Sequence, residues 1–363
     1  TTLFRYTPRW LDKMFDRTGL LKWCSKWMHL TSPRDLGELA VSMLKGEEGN
    51  QIKELNRLVN WLKEQGKPDV VCLSNALLVG LARQIKRELG CPVVCTLHGE
   101  DYFLDGLPGP YRQEAWQILS ERAQEIHFIA VSRYYGEVMK KRLGLPDDRL
   151  AVVYNGISMD GFEPAQTPPQ PPVIGYFARL CKDKGLHVLV DAFVHLKKSD
   201  PENKFREVKL RIGGTMTAGD EPYVAPLKEK LRYGGLLSQV EFRTNLSREE
   251  KIRFLQGLTL LSVPAVYGEA FGLYILESLA VGVPVVQPNT AAFPELIEQT
   301  GGGILFEPEN PEALAKAIKH LLTYPDKARN MGQRGRNAVL EKFTVDRMAS
   351  GVLVVYENAI KAK

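Results

Sequence analysis

Two carboxylates eight positions apart, Glu269 and Glu277, stand in the stretch Pro264-Ala265-Val266-Tyr267-Gly268-Glu269-Ala270-Phe271-Gly272-Leu273-Tyr274-Ile275-Leu276-Glu277. An apolar run ends at Val263, a glycine-containing loop follows, and a helix is predicted from about Phe271, so Glu269 falls in the loop and Glu277 inside the helix. The free amides at such a helix start point at whatever fills the space beyond the strand. Eight helical residues span about 12 Å at 1.5 Å each, wider than the roughly 5 to 9.5 Å of a glycosidase carboxylate pair. The spacing argues against a hydrolase. Separated carboxylates suit another task, each accepting hydrogen bonds from sugar hydroxyls, as an acidic residue does for ribose in dinucleotide sites. The plain alternative is a solvated surface charge, but Glu277 sits among Leu276, Leu279 and Ala280, where an unpaired charge is costly.

Three more loops follow predicted strands, at the ends where open α/β sheets bind ligands. In Ala178-Arg179-Leu180-Cys181-Lys182-Asp183-Lys184-Gly185, Arg179 and Lys184 precede a helix start that already favours an anion. Two cations there can hold a diphosphate by charge-assisted hydrogen bonds; the alternative is a solvated basic loop. Gly213-Gly214 after Leu210-Arg211-Ile212 serves either close backbone approach to a ligand or a plain turn. In Thr96-Leu97-His98-Gly99-Glu100-Asp101, His98 can hydrogen-bond a hydroxyl or shuttle a proton, although a lone histidine is more often structural.

These residues need rigid elements behind them. Apolar runs at 70–73, 93–97, 128–131 and 151–154 read as buried parallel strands, alternating with helices predicted over 77–89, 111–123 and 132–143. The proline-rich stretch Glu163-Pro164-Ala165-Gln166-Thr167-Pro168-Pro169-Gln170-Pro171-Pro172 has too few backbone donors for a sheet interior and reads as a linker over 164–172. The alternation then restarts, with strands expected at 173–177, 209–212, 240–242, 259–263, 283–287 and 303–306. Helices are expected at 185–197, 249–256, 273–280, 311–322 and 326–342. The fold class is therefore α/β, with one doubly wound domain over 1–163 and a second over 173–345. A last helix over 346–362 has no strand left to pair with and is expected to cross back to the first domain.

A chain of 363 residues is too long for one ordinary core, which agrees with two domains. Hydrophobic content of 44% with 25% charge is that of a soluble globular protein, and no apolar run approaches the ~20 residues of a membrane span. The five cysteines are odd in number and scattered, which excludes a disulfide framework and fits a reducing cytoplasm. Cys91 and Cys95 lack the further ligands of a zinc site.

Taken in order, these residues resemble the retaining GT-B glycosyltransferases, in particular the large family 4. Glu269 to Glu277 is similar to that family's E-x7-E element, and Arg179-Leu180 with Lys184-Gly185 to its R-L-x3-K-G phosphate loop. Asn155-Gly156-Ile157, Gly282-Val283-Pro284-Val285-Val286, Pro294-Glu295 and Gly301-Gly302-Gly303 follow in the family's order, and the resemblance runs from about Pro68 to the end. It implies two Rossmann-like domains facing a cleft and a UDP- or GDP-sugar donor held by the second. Arg179 and Lys184 would bind the diphosphate, Glu277 the ribose and Glu269 the transferred hexose. Amides of Phe271 and Gly272, with Ala270, Leu273 and Gly214, would complete the donor contacts. Backbone near Arg243 to Leu246, with Arg243 and Thr244 foremost, would face the base, and His98 would meet the hexose from the first domain.

The activity so implied is transfer of a hexose with retention to a hydroxyl of a sugar, lipid or small-molecule acceptor. No metal or other cofactor is expected, since Arg179 and Lys184 supply the positive charge at the leaving group. No nucleic acid is expected as a partner. Two other classes stay open because fold does not fix function: a non-catalytic sugar-nucleotide-binding or scaffold protein, and a phosphorylase or epimerase. The family's first strand and its glycine-rich loop are not found, so Thr1 is expected to enter later in the fold. Ala178, Arg243-Thr244 and Val153-Tyr154 stand where the family more often has glycine, glycine and proline.

The first 34 residues carry seven basic side chains (Arg5, Arg9, Lys13, Arg17, Lys22, Lys26, Arg34) against Asp12 and Asp16, interleaved with Phe4, Trp10, Phe15, Trp23 and Trp27. Such a mixture suits either a packing helix with a solvated basic face or a peripheral element on an anionic membrane surface, at the inner face of the membrane. Co-sedimentation with anionic vesicles at low salt separates the two: pelleting supports the surface reading, and its absence ends it.

Overall fold

The computed structural model describes residues 33–165 and 167–362; the basic aromatic stretch up to Trp27 lies outside them. The described residues form two compact units, one reaching Val153 and resuming at Ser350, the other running Tyr154–Ala349. Among the described residues no helix is long and apolar enough to cross a membrane.

In the first unit β1 (Val71–Leu73), β2 (Val93–Leu97), β3 (His127–Ala130) and β4 (Leu150–Val152) form a parallel sheet in that order. Each lies within two residues of an expected apolar run. The helix Arg133–Leu143 begins where the Ser132 hydroxyl accepts the Tyr135 N–H at 3.0 Å and ends at Gly144 with φ 63°. The helix expected over 77–89 divides into a 3-10 segment, Ala76–Leu81, and an α-helix, Ala82–Leu89, after the Asn75 side chain caps Leu77 N–H at 3.0 Å. Helices Pro33–Lys45 and Ile52–Glu64 precede β1, and a short helix Glu100–Asp105 follows β2; none was expected. From Ser350 onward the last helix, Val345–Lys361, packs in this unit, with Val352, Val355, Tyr356 and Ala359 against Val94 and Ile129.

The loop after β2 is held by a buried carboxylate. Glu100, 7% exposed, accepts the N–H groups of Ala76 (3.1 Å), His98 (2.8 Å) and Gly99 (3.0 Å) and the Tyr135 hydroxyl (3.1 Å). These bonds place the turn after β1, the His98 loop and the following helix around one group.

The second unit is a six-stranded parallel sheet of β5 (Val173–Phe177), β6 (Lys209–Gly214), β7 (Val240–Thr244), β8 (Leu260–Leu261), β9 (Val285–Pro288) and β10 (Gly303–Phe306). The order is β10-β9-β8-β5-β6-β7, so the chain winds one way from β5 and the other way from β8. The loops after β5 and β8 meet at the reversal, where the Val266 N–H donates to the Asp183 carbonyl. The strand expected over 259–263 pairs in full only at Leu260–Leu261, while Thr259 N–H and Ser262 N–H still donate to the Val173 and Gly175 carbonyls at 2.8 and 2.9 Å. Residues 154–163, counted with the first domain on sequence, pack in the second unit: Ile157 bridges Thr344, and the Tyr154 hydroxyl donates to Glu295 at 2.6 Å.

Two helices, Glu221–Tyr233 and Phe293–Thr300, were not among those expected; the first contains Pro222 and Pro226 and the second Pro294. Pro222 and Pro294 sit in the first turn, where the missing N–H has no intrahelical partner to lose.

Gly185 adopts φ 72°, and a Cβ there would lie 1.8 Å from the Pro264 carbonyl oxygen in the loop after β8. We expect Gly185→Ala to cost the second unit at least about 2 kcal/mol and Glu100→Ala to cost the first about 3 kcal/mol, both read from denaturant midpoints. Midpoints within 0.5 M of the parent, roughly 1 kcal/mol at ordinary denaturant slopes, would contradict these assignments.

Candidate active site

The loop leaving β5 runs over a buried tyrosine. Tyr176 is fully enclosed and its hydroxyl donates to the Arg179 carbonyl at 3.1 Å. Burial pushes that phenol well up, so it stays a donor. Gly213 and Gly214 end β6 and do not form a turn. Gly214, at φ 128° and paired with Thr244, leaves room for the Ala178 carbonyl oxygen, which a Cβ would meet at 1.8 Å. Arg179, 60% exposed at its side chain, reaches Asp220 at 3.2 Å. Asp220 is buried and forms a capping box with Thr217; the Thr217 hydroxyl and N–H, then Arg179, hold its carboxyl below the usual range.

Lys184 closes the same loop and meets the loop after β8. Its ammonium donates to Glu269 Oε2 and to the Tyr267 hydroxyl, each at 2.5 Å, with side chains only 21% (Lys184) and 13% (Glu269) exposed. The Tyr274 hydroxyl donates to the same Glu269 oxygen at 3.2 Å. The ammonium lies 4.7 Å from the Tyr267 ring centroid and 5.8 Å from that of Tyr274. Val266 N–H donates to the Asp183 carbonyl at 2.9 Å, and Ala292 N–H to the Glu269 carbonyl at 3.3 Å, so backbone contacts fix both loops.

The helix carrying Glu277 spans Leu273–Ala280, the range expected for it, with Gly272 before it at φ 95°. The amides of Phe271 and Gly272 therefore precede the first turn; Ala270 and Phe271 are buried, and Leu273 is exposed. Glu277 and Glu269 have separate partners. Glu277 Oε1 accepts from Lys251 at 2.6 Å, with the two side chains 17% and 23% exposed. Lys251 lies on the helix Arg248–Gln256. Sequence reasoning missed it because a lysine beside two glutamates on a charged helix looks like a solvated face.

At the end of β7 Arg243 is exposed and turns back to Glu241 at 2.5 Å. The residue after Thr244, Asn245, has φ 57° and brackets Met216, accepting its N–H and donating to its carbonyl at 3.0 Å each. His98 lies in the first unit, exposed, with Nε2 3.1 Å from the Thr96 hydroxyl. The structure thus joins Lys184 to Glu269, sets Gly214 beside Thr244, and gives Arg179 and Glu277 individual counter-charges.

Comparison with known proteins gives a consistent assignment. Residues 161–338 match the family described as glycosyl transferases group 1, and residues 37–160 match glycosyltransferase family 4. The D-inositol 3-phosphate glycosyltransferase of Streptomyces bingchenggensis is 25% identical over 64% of this chain, which spans only 53% of that relative's length. The alpha-maltose-1-phosphate synthase of Mycolicibacterium smegmatis is 27% identical over 78% of each chain. The crystal structure of Anabaena HepE in complex with UDP-glucose superposes with a TM-score of 0.69 at 20% identity, covering 84% of this chain and 82% of that one. Two parallel α/β units of this topology, matched along almost their whole described length, establish that the chain belongs to the group 1 glycosyltransferases of the GT-B fold.

Proposed function

We propose that the chain transfers a hexose from a nucleoside-diphosphate sugar to a hydroxyl acceptor, with retention at the anomeric carbon and without a metal ion. The observation that carries this reading is the Lys184–Glu269 pair at the reversal of the second sheet, with Arg179 on the same loop. In this reading Arg179 and Lys184 hold the two phosphates and stabilise the charge that grows on the leaving diphosphate. Glu269 accepts from a hexose hydroxyl. Glu277, with Oε1 taken by Lys251, uses Oε2 for the ribose. The amides of Phe271 and Gly272 add donors for phosphate or sugar, and the backbone around Arg243 and Thr244 faces the base. Attack from the face the diphosphate leaves, with that diphosphate taking the acceptor proton, keeps the configuration. The UDP-glucose named for the HepE complex supports a UDP-sugar as the first donor to test.

Calorimetry with UDP, GDP and ADP, and with their glucose and mannose conjugates, tests the reading. One nucleotide series should bind, and Arg179→Ala should weaken it about 10- to 100-fold, the worth of a charge-assisted contact. No binding by any series, or equal binding by the variant, contradicts the donor site. Glu277→Ala should chiefly raise the donor Kd, whereas Glu269→Ala should chiefly lower turnover, by about 100-fold or more. Parent-like kinetics in both would remove these two roles.

A further inference from the structure

Tyr267 and Tyr274 have no role in the reading above, yet both touch its central ion pair. Tyr274 is 9% exposed, and its hydroxyl donates to Glu269 Oε2 at 3.2 Å. Tyr267 accepts from Lys184 at 2.5 Å, so its hydroxyl shares that ammonium with Glu269. Burial and the neighbouring Glu269 push both phenols far up, so both remain hydrogen-bond donors. The ammonium and the Tyr274 hydroxyl therefore donate to one carboxylate, and the Tyr267 hydroxyl is bound to the same ammonium.

Lys184 has one further N–H, and a diphosphate carries more negative charge than the single carboxylate it would compete with. When the ammonium turns to phosphate, Glu269 loses its counter-ion at a position only 13% exposed. A buried carboxylate left without partners is strongly unfavourable. The Tyr274 hydroxyl bonds Glu269 directly, and the Tyr267 hydroxyl, which accepts from the same ammonium, can turn to the carboxylate when that donor leaves. Their rings lie 4.7 and 5.8 Å from the ammonium, within reach of its charge, so they also limit where it can swing.

We infer that Tyr267 and Tyr274 are positioning residues that keep the Glu269 carboxylate partnered and aimed at the hexose while the donor's diphosphate draws Lys184 away. The inference rests on the donor reading given above. It assigns the hydroxyls to the sugar half of the donor and the rings to the Lys184 that serves the phosphate half.

The test compares UDP with UDP-glucose, and GDP with GDP-mannose, on the full chain and on Tyr267→Phe, Tyr274→Phe, the double Phe variant and Tyr267→Leu. Each Phe variant should bind the bare diphosphate within about 2-fold of the parent, since the ring remains. Its affinity for the sugar conjugate should fall about 5- to 30-fold, the worth of one hydrogen bond to a charged group, and its kcat should fall with it. Tyr267→Leu, lacking ring and hydroxyl, should weaken the bare diphosphate as well. Retained diphosphate binding doubles as proof that the variants are folded. Phe variants that match the parent with both ligands, or that lose both equally, overturn the inference while leaving the donor reading intact. A parent chain that binds none of the four ligands removes the donor reading itself.

Discussion

The approach of two loops sets the limits for everything else in the second unit. Lys184 leaves β5 and Glu269 leaves β8, and these strands are neighbours only because the winding reverses between them. Adjacency of strands does not make side chains meet at 2.5 Å. That requires the backbone at 185 to lie against the Pro264 carbonyl with no Cβ between, and it requires the Val266 N–H to find the Asp183 carbonyl. A glycine at φ 72° meets the first condition at no steric cost. The second gives both loops a partner for backbone groups that would otherwise be stranded away from water. With the backbone fixed, the ion pair follows from side-chain reach.

Around that pair the unit handles charge consistently. Each of the two carboxylates singled out by spacing is answered by a lysine: Glu269 by Lys184 and Glu277 by Lys251. Both pairs are largely shielded, and such pairs contribute little net stability because desolvation offsets attraction, whereas losing one partner is costly. In each pair the lysine contact engages one carboxylate oxygen, Oε2 of Glu269 and Oε1 of Glu277. Arg179 differs. Its partner Asp220 is already committed to Thr217, and the guanidinium remains mostly in water.

Much of this was legible in the sequence because parallel strands buried on both faces read as continuous apolar runs. β2, Val93 to Leu97, is one such run and was placed to the residue. Turn chemistry was less legible. The helices Glu221–Tyr233 and Phe293–Thr300 were not expected; Pro222 and Pro294 sit in their first turns, which suit proline, while Pro226 lies inside its helix. Glu269 and Lys184 were visible as residues flanking strand ends, but their direct contact was not, because it crosses 85 positions of chain. Lys251, Tyr267 and Tyr274 were passed over for the same reason: each is unremarkable in its own segment and acquires meaning only from what the fold sets against it.

Glu100 bears on how the first unit moves. One carboxylate collects donors from the turn after β1, the loop after β2 and, through Tyr135, the helix Arg133–Leu143. Three segments distant in sequence thus share a single electrostatic hub, and none can release its bond without leaving the others around an under-satisfied charge. That edge of the sheet should open as one cooperative block and not by independent fraying. The amide hydrogens of Ala76, His98 and Gly99 would then exchange with solvent on a common timescale, and the loop bearing His98 would be as durable as the strands beneath it.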